Sequence, residues 1–215
     1  NAVPPVTNGV AYYTAMHKAG NNCELHVYPS GGHGWGFRDA QHGFAHHEQM
    51  VDDLTAWLRS LPKPNPNAIR VACIGNSITD GRGSTTNMQN RWTDFLADAL
   101  NAEKPYGVLN LGIGGNCVVE GGISEPAMKR FDRDILGQTG VDKLVIFEGT
   151  NDIGCCGGNY EHVADTLIAC YKVLIAKAKA KGIKVYGATI TPTKGNGWYS
   201  YWHEAMRQQV NEWIR

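Results

Sequence analysis

Three apolar runs in this chain each break off into a glycine-rich polar loop, and that repetition constrains the fold more than any other feature. Val71, Ala72, Cys73 and Ile74 lead into Gly75-Asn76-Ser77. Val108–Leu111 leads into Gly-Ile-Gly-Gly-Asn116, and Leu144–Phe147 leads toward Gly149-Thr150-Asn151-Asp152. Short apolar runs bounded by glycine read as buried strands. When helical patterns separate them, the strands are parallel and covered on both faces. Their carboxyl ends then share one edge of the sheet, which is where ligands and chemistry sit in open α/β folds.

The intervening segments carry helical spacing. Residues 89–102 place Trp92, Phe95, Leu96 and Leu100 on an inner stripe. Pro126 suits the first turn of a helix ending near Leu136. Residues 160–181 form a long helix closed by Gly182, and residues 183–188 form a fourth strand. A loop with Trp198 and Tyr199 follows, then a last amphipathic helix. Trp198, Tyr199, Tyr201 and Trp202 read equally as sugar-stacking platforms or as packing for that helix.

Ser77 alone reads most cheaply as a helix cap. The other two loops change that reading. A serine hydroxyl, backbone N–H groups in a glycine-rich loop and the Asn151 amide on one edge are the inventory of a nucleophile with an oxyanion hole.

In these three blocks, Gly75-Asn76-Ser77-Ile78-Thr79, Asn110–Asn116 and Gly149-Thr150-Asn151-Asp152, the chain resembles the SGNH (GDSL-like) hydrolase family over about residues 68–215. The resemblance implies a doubly wound α/β/α, flavodoxin-like sheet. It also implies that Ser77 is the nucleophile, and that the Ser77 N–H, the Gly115 N–H and the Asn151 amide are the oxyanion donors. Asn76 stands where the family commonly has Asp. The family's fourth block, Asp-x-x-His, which supplies the general base, does not follow the third block here. The chain is therefore expected to be an SGNH domain lacking its last block, or one in which another histidine, His203 or His33, serves.

The N-terminal region reads differently. Residues 12–18 look helical, residues 24–28 look like a short strand, and a glycine-rich loop then presents His33. A helix over roughly 43–60 carries Met50, Leu54, Trp57 and Leu58 as a core-facing stripe. This order resembles the C-terminal tail of an α/β-hydrolase esterase domain, with His33 as that domain's base and Val3-Pro4-Pro5 following its acid. The serine elbow of that family is absent. The expected organisation is an esterase tail over 1–60, a Pro-rich linker over 61–68 and the SGNH domain over 69–215.

Twenty basic and 20 acidic residues balance, so charge points to neither nucleic acid nor an anionic surface. The lysines at 172, 177, 179, 181 and 184 read as a solvated helix face. No apolar run is long enough to span a membrane. The six cysteines lack zinc-finger spacing, and their number is low for a disulfide scaffold. Cys117 neighbours Cys155 and Cys156 across two loops, so a Cys117–Cys155 or Cys117–Cys156 bridge and free thiols both stay open. His42, His46 and His47 read as exposed residues at a helix start, not metal ligands.

The expected function is serine ester hydrolysis without metal or organic cofactor. The resemblance implies removal of acetyl or short acyl groups from plant-type carbohydrate such as xylan, by a secreted or periplasmic protein. A lysophospholipase or thioesterase, and a catalytically incomplete sugar-binding fragment, are the competing readings. The partners expected are a small acyl ester or acetylated carbohydrate, with no nucleic acid and no membrane; homo-oligomerisation is left open.

Overall fold

The computed structural model describes residues 9–29, 45–63, 65–85, 88–158 and 160–215. Two units divide between Pro64 and Asn65, within the proline-rich segment. His33 and His42 lie outside the described residues.

In the first unit, α1 spans Gly9–Lys18 and α2 spans His47–Ser60. Neither helix buries a residue fully. Met50, Leu54 and Trp57 line an open cleft of about 470 Å³, while Leu58 of the expected stripe is 53% exposed. Residues 24–28 do not form the expected strand. The segment is held instead by side chains, with the Tyr28 hydroxyl donating to Asp53 Oδ2 at 3.0 Å.

The second unit is built on four parallel strands: β1 (Ile69–Gly75), β2 (Tyr106–Gly112), β3 (Lys143–Phe147) and β4 (Lys184–Gly187). Their order, β2-β1-β3-β4, places β1 inside the sheet. That position explains why Val71, Ala72, Cys73 and Ile74 are all buried, since a strand with helices on both faces has no solvent side. β2 lies on an edge, and Leu109 is 41% exposed there.

Helices cover the sheet: α3 (Ser77–Asp80), α4 (Trp92–Asn101), α5 (Ala127–Phe131), α6 (Thr150–Gly154), α7 (Val163–Ala180) and α8 (Tyr201–Ile214). α5 runs directly into a widened π turn over Asp132–Leu136. In α7, Ala164, Leu167, Tyr171, Leu174 and Ala178 recur at alternating steps of three and four, so they form one buried stripe. Tyr171 stacks on Trp213 of α8 with ring centres 5.9 Å apart, joining the two helices.

The helix over 89–102 is shorter than its pattern suggests, and its inner face differs. Thr93 is buried, whereas Phe95 is 62% exposed. Thr93 faces inward because its hydroxyl accepts a hydrogen bond from the Asn110 amide at 3.0 Å, which turns Phe95 toward solvent. Tyr160 precedes the long helix instead of beginning it, and Gly182 ends that helix with φ +76°. All six cysteines are unbridged.

Leu174 is fully buried in the cluster between α7 and the sheet. Leu174→Ala should therefore lower the unfolding free energy by about 2–5 kcal/mol through lost burial and a residual cavity. Urea unfolding checks this: the midpoint should fall with an unchanged slope.

Candidate active site

The register of the sheet assembles the site. Gly75 pairs with Gly112 on one side and Phe147 on the other, so three adjacent strands end level. The loops that leave them start about 4.8 Å apart, the spacing of neighbouring strands. Gly75 is required by close approach: a Cβ there would collide with the Thr79 side chain and lie 2.9 Å from the Phe147 carbonyl.

Ser77 is the first residue of α3. Asn76 caps this short helix by accepting the Ile78 N–H on its side-chain oxygen at 2.9 Å. The amide that replaces the family's usual Asp thus keeps the capping function. Gly81 closes the turn, and the N–H groups of Gly81 and Arg82 both donate to the Ser77 carbonyl at 3.0 and 2.8 Å. The Ser77 hydroxyl and its own N–H make no hydrogen bond to any described residue.

The second loop carries Gly115 at φ +70°, a conformation that disfavours any side chain, and a Cβ there would also run into Ile123. The Gly115 N–H donates to no described group. The third loop is pinned onto the second. One hydrogen of the Asn151 amide goes to the Asn116 carbonyl at 2.8 Å, and Asp152 accepts the N–H groups of Val118 and Val119 at 2.9–3.0 Å. The other Asn151 amide hydrogen is left over. The structure therefore brings Ser77, Gly115 and Asn151 to one edge with a free hydroxyl and unspent donors.

His203 is not aimed at Ser77, contrary to the idea that it serves as its base. Nδ1 faces the Trp198 carbonyl, and Nε2 lies 3.5 Å from Cys156 Sγ. The loop after β4 folds back on the start of α8, so both ring nitrogens are engaged locally. Trp198 packs against Gly154 and His203, settling it as a packing residue. Tyr201 and Trp202 remain 86% and 64% exposed.

Two buried charged residues behind the site escape a reading from the sequence. Arg130 is fully buried. Its guanidinium donates to the Gly75 carbonyl (3.2 Å), the Leu111 carbonyl (3.0 Å), the Asn116 side-chain oxygen (2.9 and 3.1 Å) and Asp134 (3.0 Å). It thereby links the ends of β1 and β2 to the loop that carries Gly115 and Asn116. The signal was present: Ala127, Phe131 and Ile135 mark the buried side, and Arg130 sits at helical spacing on it.

Glu148 is the other. Both its oxygens lack a hydrogen-bond partner among the described residues, and Arg130 Nη2 lies 3.7 Å away, beyond hydrogen-bond reach. Burial, and then the nearby Asp152 carboxyl, push Glu148 well above the ordinary carboxylate range. Arg130, Asn76 and the Gly149 N–H offset this only in part. The Asn76 amide nitrogen is itself unpartnered, so its help is electrostatic and not a formed hydrogen bond. Asp134 balances Arg130: burial pushes its carboxyl up, but hydrogen bonds from Arg133 and Arg130 outweigh burial and hold it low. Glu148 is thus a carboxyl whose charged form burial disfavours, beside an already paired cation.

An acid whose folded-state pKa is raised stabilises the fold fully below its unfolded value, about 4.3, and loses that contribution as pH climbs. Glu148→Gln carries no such proton. Its stability relative to the unaltered chain should rise from about pH 4 upward, by at most about 1.4 kcal/mol per pH unit. Urea unfolding across pH checks this; a difference flat with pH would contradict the raised pKa.

Comparison with known proteins places this geometry. The chain is 37% identical over 194 residues to an acetylxylan esterase from Xylanibacter ruminicola, covering 88% of this chain and 39% of that protein. The chain thus spans well under half the length of this curated relative. Among solved structures, it is similar to an acetylxylan esterase from Geobacillus stearothermophilus, with 25% identity and a TM-score of 0.51 over 68% of this chain and 71% of that one. A lipase/acylhydrolase from Enterococcus faecalis shares the fold at 18% identity and a TM-score of 0.51, over 67% of this chain and 70% of that one. Residues 73–215, which carry Ser77 and the three converging loops, match the GDSL-like lipase/acylhydrolase family, and the chain belongs to that family.

Proposed function

We propose that this protein is a serine esterase that removes acetyl or other short acyl groups from carbohydrate. The observation that carries the reading is the set of unspent groups at the sheet edge: the Ser77 hydroxyl, the Ser77 and Gly115 N–H groups and one Asn151 amide hydrogen. Around them, Asp152 is spent on the Val118 and Val119 N–H groups and Asn116 on the Arg130 guanidinium. Donors left open in this way suit a transient oxyanion.

In the reaction, the Ser77 hydroxyl attacks the ester carbonyl while a histidine takes its proton. Negative charge develops on the former carbonyl oxygen and meets the three donors. The alcohol leaves with the proton, and water then attacks the acyl-serine by the same route. In the family, the histidine comes from an Asp-x-x-His block.

The carbohydrate part of the proposal rests on the acetylxylan esterase relatives and on the aromatic rings near the site edge. Tyr201 and Trp202 are exposed at the start of α8, after the loop that leaves β4 on the same edge as Ser77. Such rings offer flat apolar faces for sugars. The alignment of 194 residues is longer than the segment matched to the family, so it reaches into the first unit. The first unit is thus shared in part with the acetylxylan esterase relative; by their resemblance to an α/β-hydrolase esterase domain, residues 1–60 fit a paired-esterase protein acting on polysaccharide in a secreted or periplasmic setting.

Ser77→Ala should abolish release of acetate from acetylated xylan and from p-nitrophenyl acetate, and should prevent labelling by a fluorophosphonate. Retained hydrolysis in that variant would remove Ser77 as nucleophile. Asn151→Ala should lower kcat by about 10²–10³ with little change in KM, because its amide acts on charge present only in the transition state. A variant with unchanged kcat would take Asn151 out of the oxyanion hole.

A further inference from the structure

The loop after α6 carries two adjacent cysteines that the esterase reading leaves unused. Cys155 is exposed, and Cys156 is half-buried. Cys156 Sγ lies 3.5 Å from His203 Nε2, within reach of a sulfur hydrogen bond. The other ring nitrogen, Nδ1, faces the Trp198 carbonyl. A carbonyl oxygen only accepts, so Nδ1 carries the proton and Nε2 presents its lone pair to the thiol. The imidazole is held in place by Tyr160 and Trp198, whose rings meet it edge-on at 5.4 and 5.3 Å, and by burial to 8% exposure. Thiol, base and orienting carbonyl therefore stand in series, the arrangement that activates a cysteine nucleophile.

A cleft of about 530 Å³ opens beside this pair, and both cysteines line it. Glu120, Asp152, Glu161 and His162 share its wall. Carboxyl groups around a thiol favour the approach of a cationic or neutral reagent over an anionic one. The cysteines nearer the core are different in kind. Burial pushes the Cys73 thiol up to about 12. Burial, and then neighbouring Asp152, Cys155 and Glu148, do the same to Cys117. These stay inert thiols.

We propose that Cys156, with His203 as its base, is a thiol-exchange site that takes small cationic disulfides. In the exchange, Cys156 Sγ attacks one sulfur of the disulfide as its proton passes to His203 Nε2. A new S–S bond forms to Cys156 and the reagent's own S–S bond breaks. The departing thiolate takes the proton back from His203. One mixed disulfide and one free small thiol result, with no net gain or loss of electrons.

The test uses the full native chain, pulsed with cystamine, quenched in acid and mapped by peptide mass spectrometry. Cys156 should be modified at least about tenfold faster than the more exposed Cys155, and the two rates should converge in guanidinium. Equal or faster modification of Cys155 in the native chain would overturn the proposal. Glutathione disulfide, which is anionic, should react with Cys156 more slowly than cystamine; the reverse order would overturn the cleft as the approach. His203→Gln should slow Cys156 by about tenfold and leave Cys155 unchanged. An unchanged Cys156 rate would overturn the base. If that variant does not fold, the comparison of the two cysteines in the unaltered chain still decides. None of these readouts depends on esterase activity.

Discussion

The buried guanidinium of Arg130 is the constraint on which the site depends. The three loops leave the sheet level with one another, but level strands alone do not set the loops that follow. Arg130 donates to the carbonyls at the ends of β1 and β2 and to the side chain of Asn116. The Asn116 carbonyl in turn holds Asn151. One planar group therefore reaches, directly or through Asn116, all three elements that carry Ser77, Gly115 and Asn151. Lysine could not reproduce this, because a point charge lacks the fixed fork of donors.

Burying that cation carries a large desolvation cost, repaid only where geometry and hydrogen bonding are good. Asp134, one turn along at 3.0 Å, supplies the counter-charge. The widened turn over Asp132–Leu136 lies where this pairing is made, and such turns recur at functional sites. Glu148 does not share the role, despite lying close to Arg130. With Asp134 already in contact, a second carboxylate in the interior would gain little and lose its hydration. Burial therefore favours the protonated form of Glu148, while the Arg130–Asp134 pair carries the charge.

Most of the fold was legible because hydrophobic patterning is local. The four strands, the Pro126 helix, the long helix ended by Gly182 and the final helix all follow from runs and spacings within a few residues. Errors came where a local pattern had two solutions or no partner. Phe95 lay on the expected stripe, yet the hydrogen bond between Thr93 and Asn110 rotated it outward. Residues 24–28 had strand composition but adopt no strand, because composition alone does not supply a ladder. That Ser77, Gly115 and Asn151 share one edge was legible because each follows a strand, and parallel strands must end on one edge.

By itself, the sequence determined a parallel α/β sheet and the three blocks that meet at one of its edges. These are consequences of period, glycine and strand direction, all of which are written along the chain. Tertiary structure alone decided which polar groups are spent and which remain open. It turned His203 toward Cys156 and Trp198, away from a role at Ser77. It also buried Arg130 and Glu148 behind the site. The physical reason is that a hydrogen bond or a charge pair joins residues distant in the chain, as Arg130 and Gly75 are, and no local pattern encodes the partner.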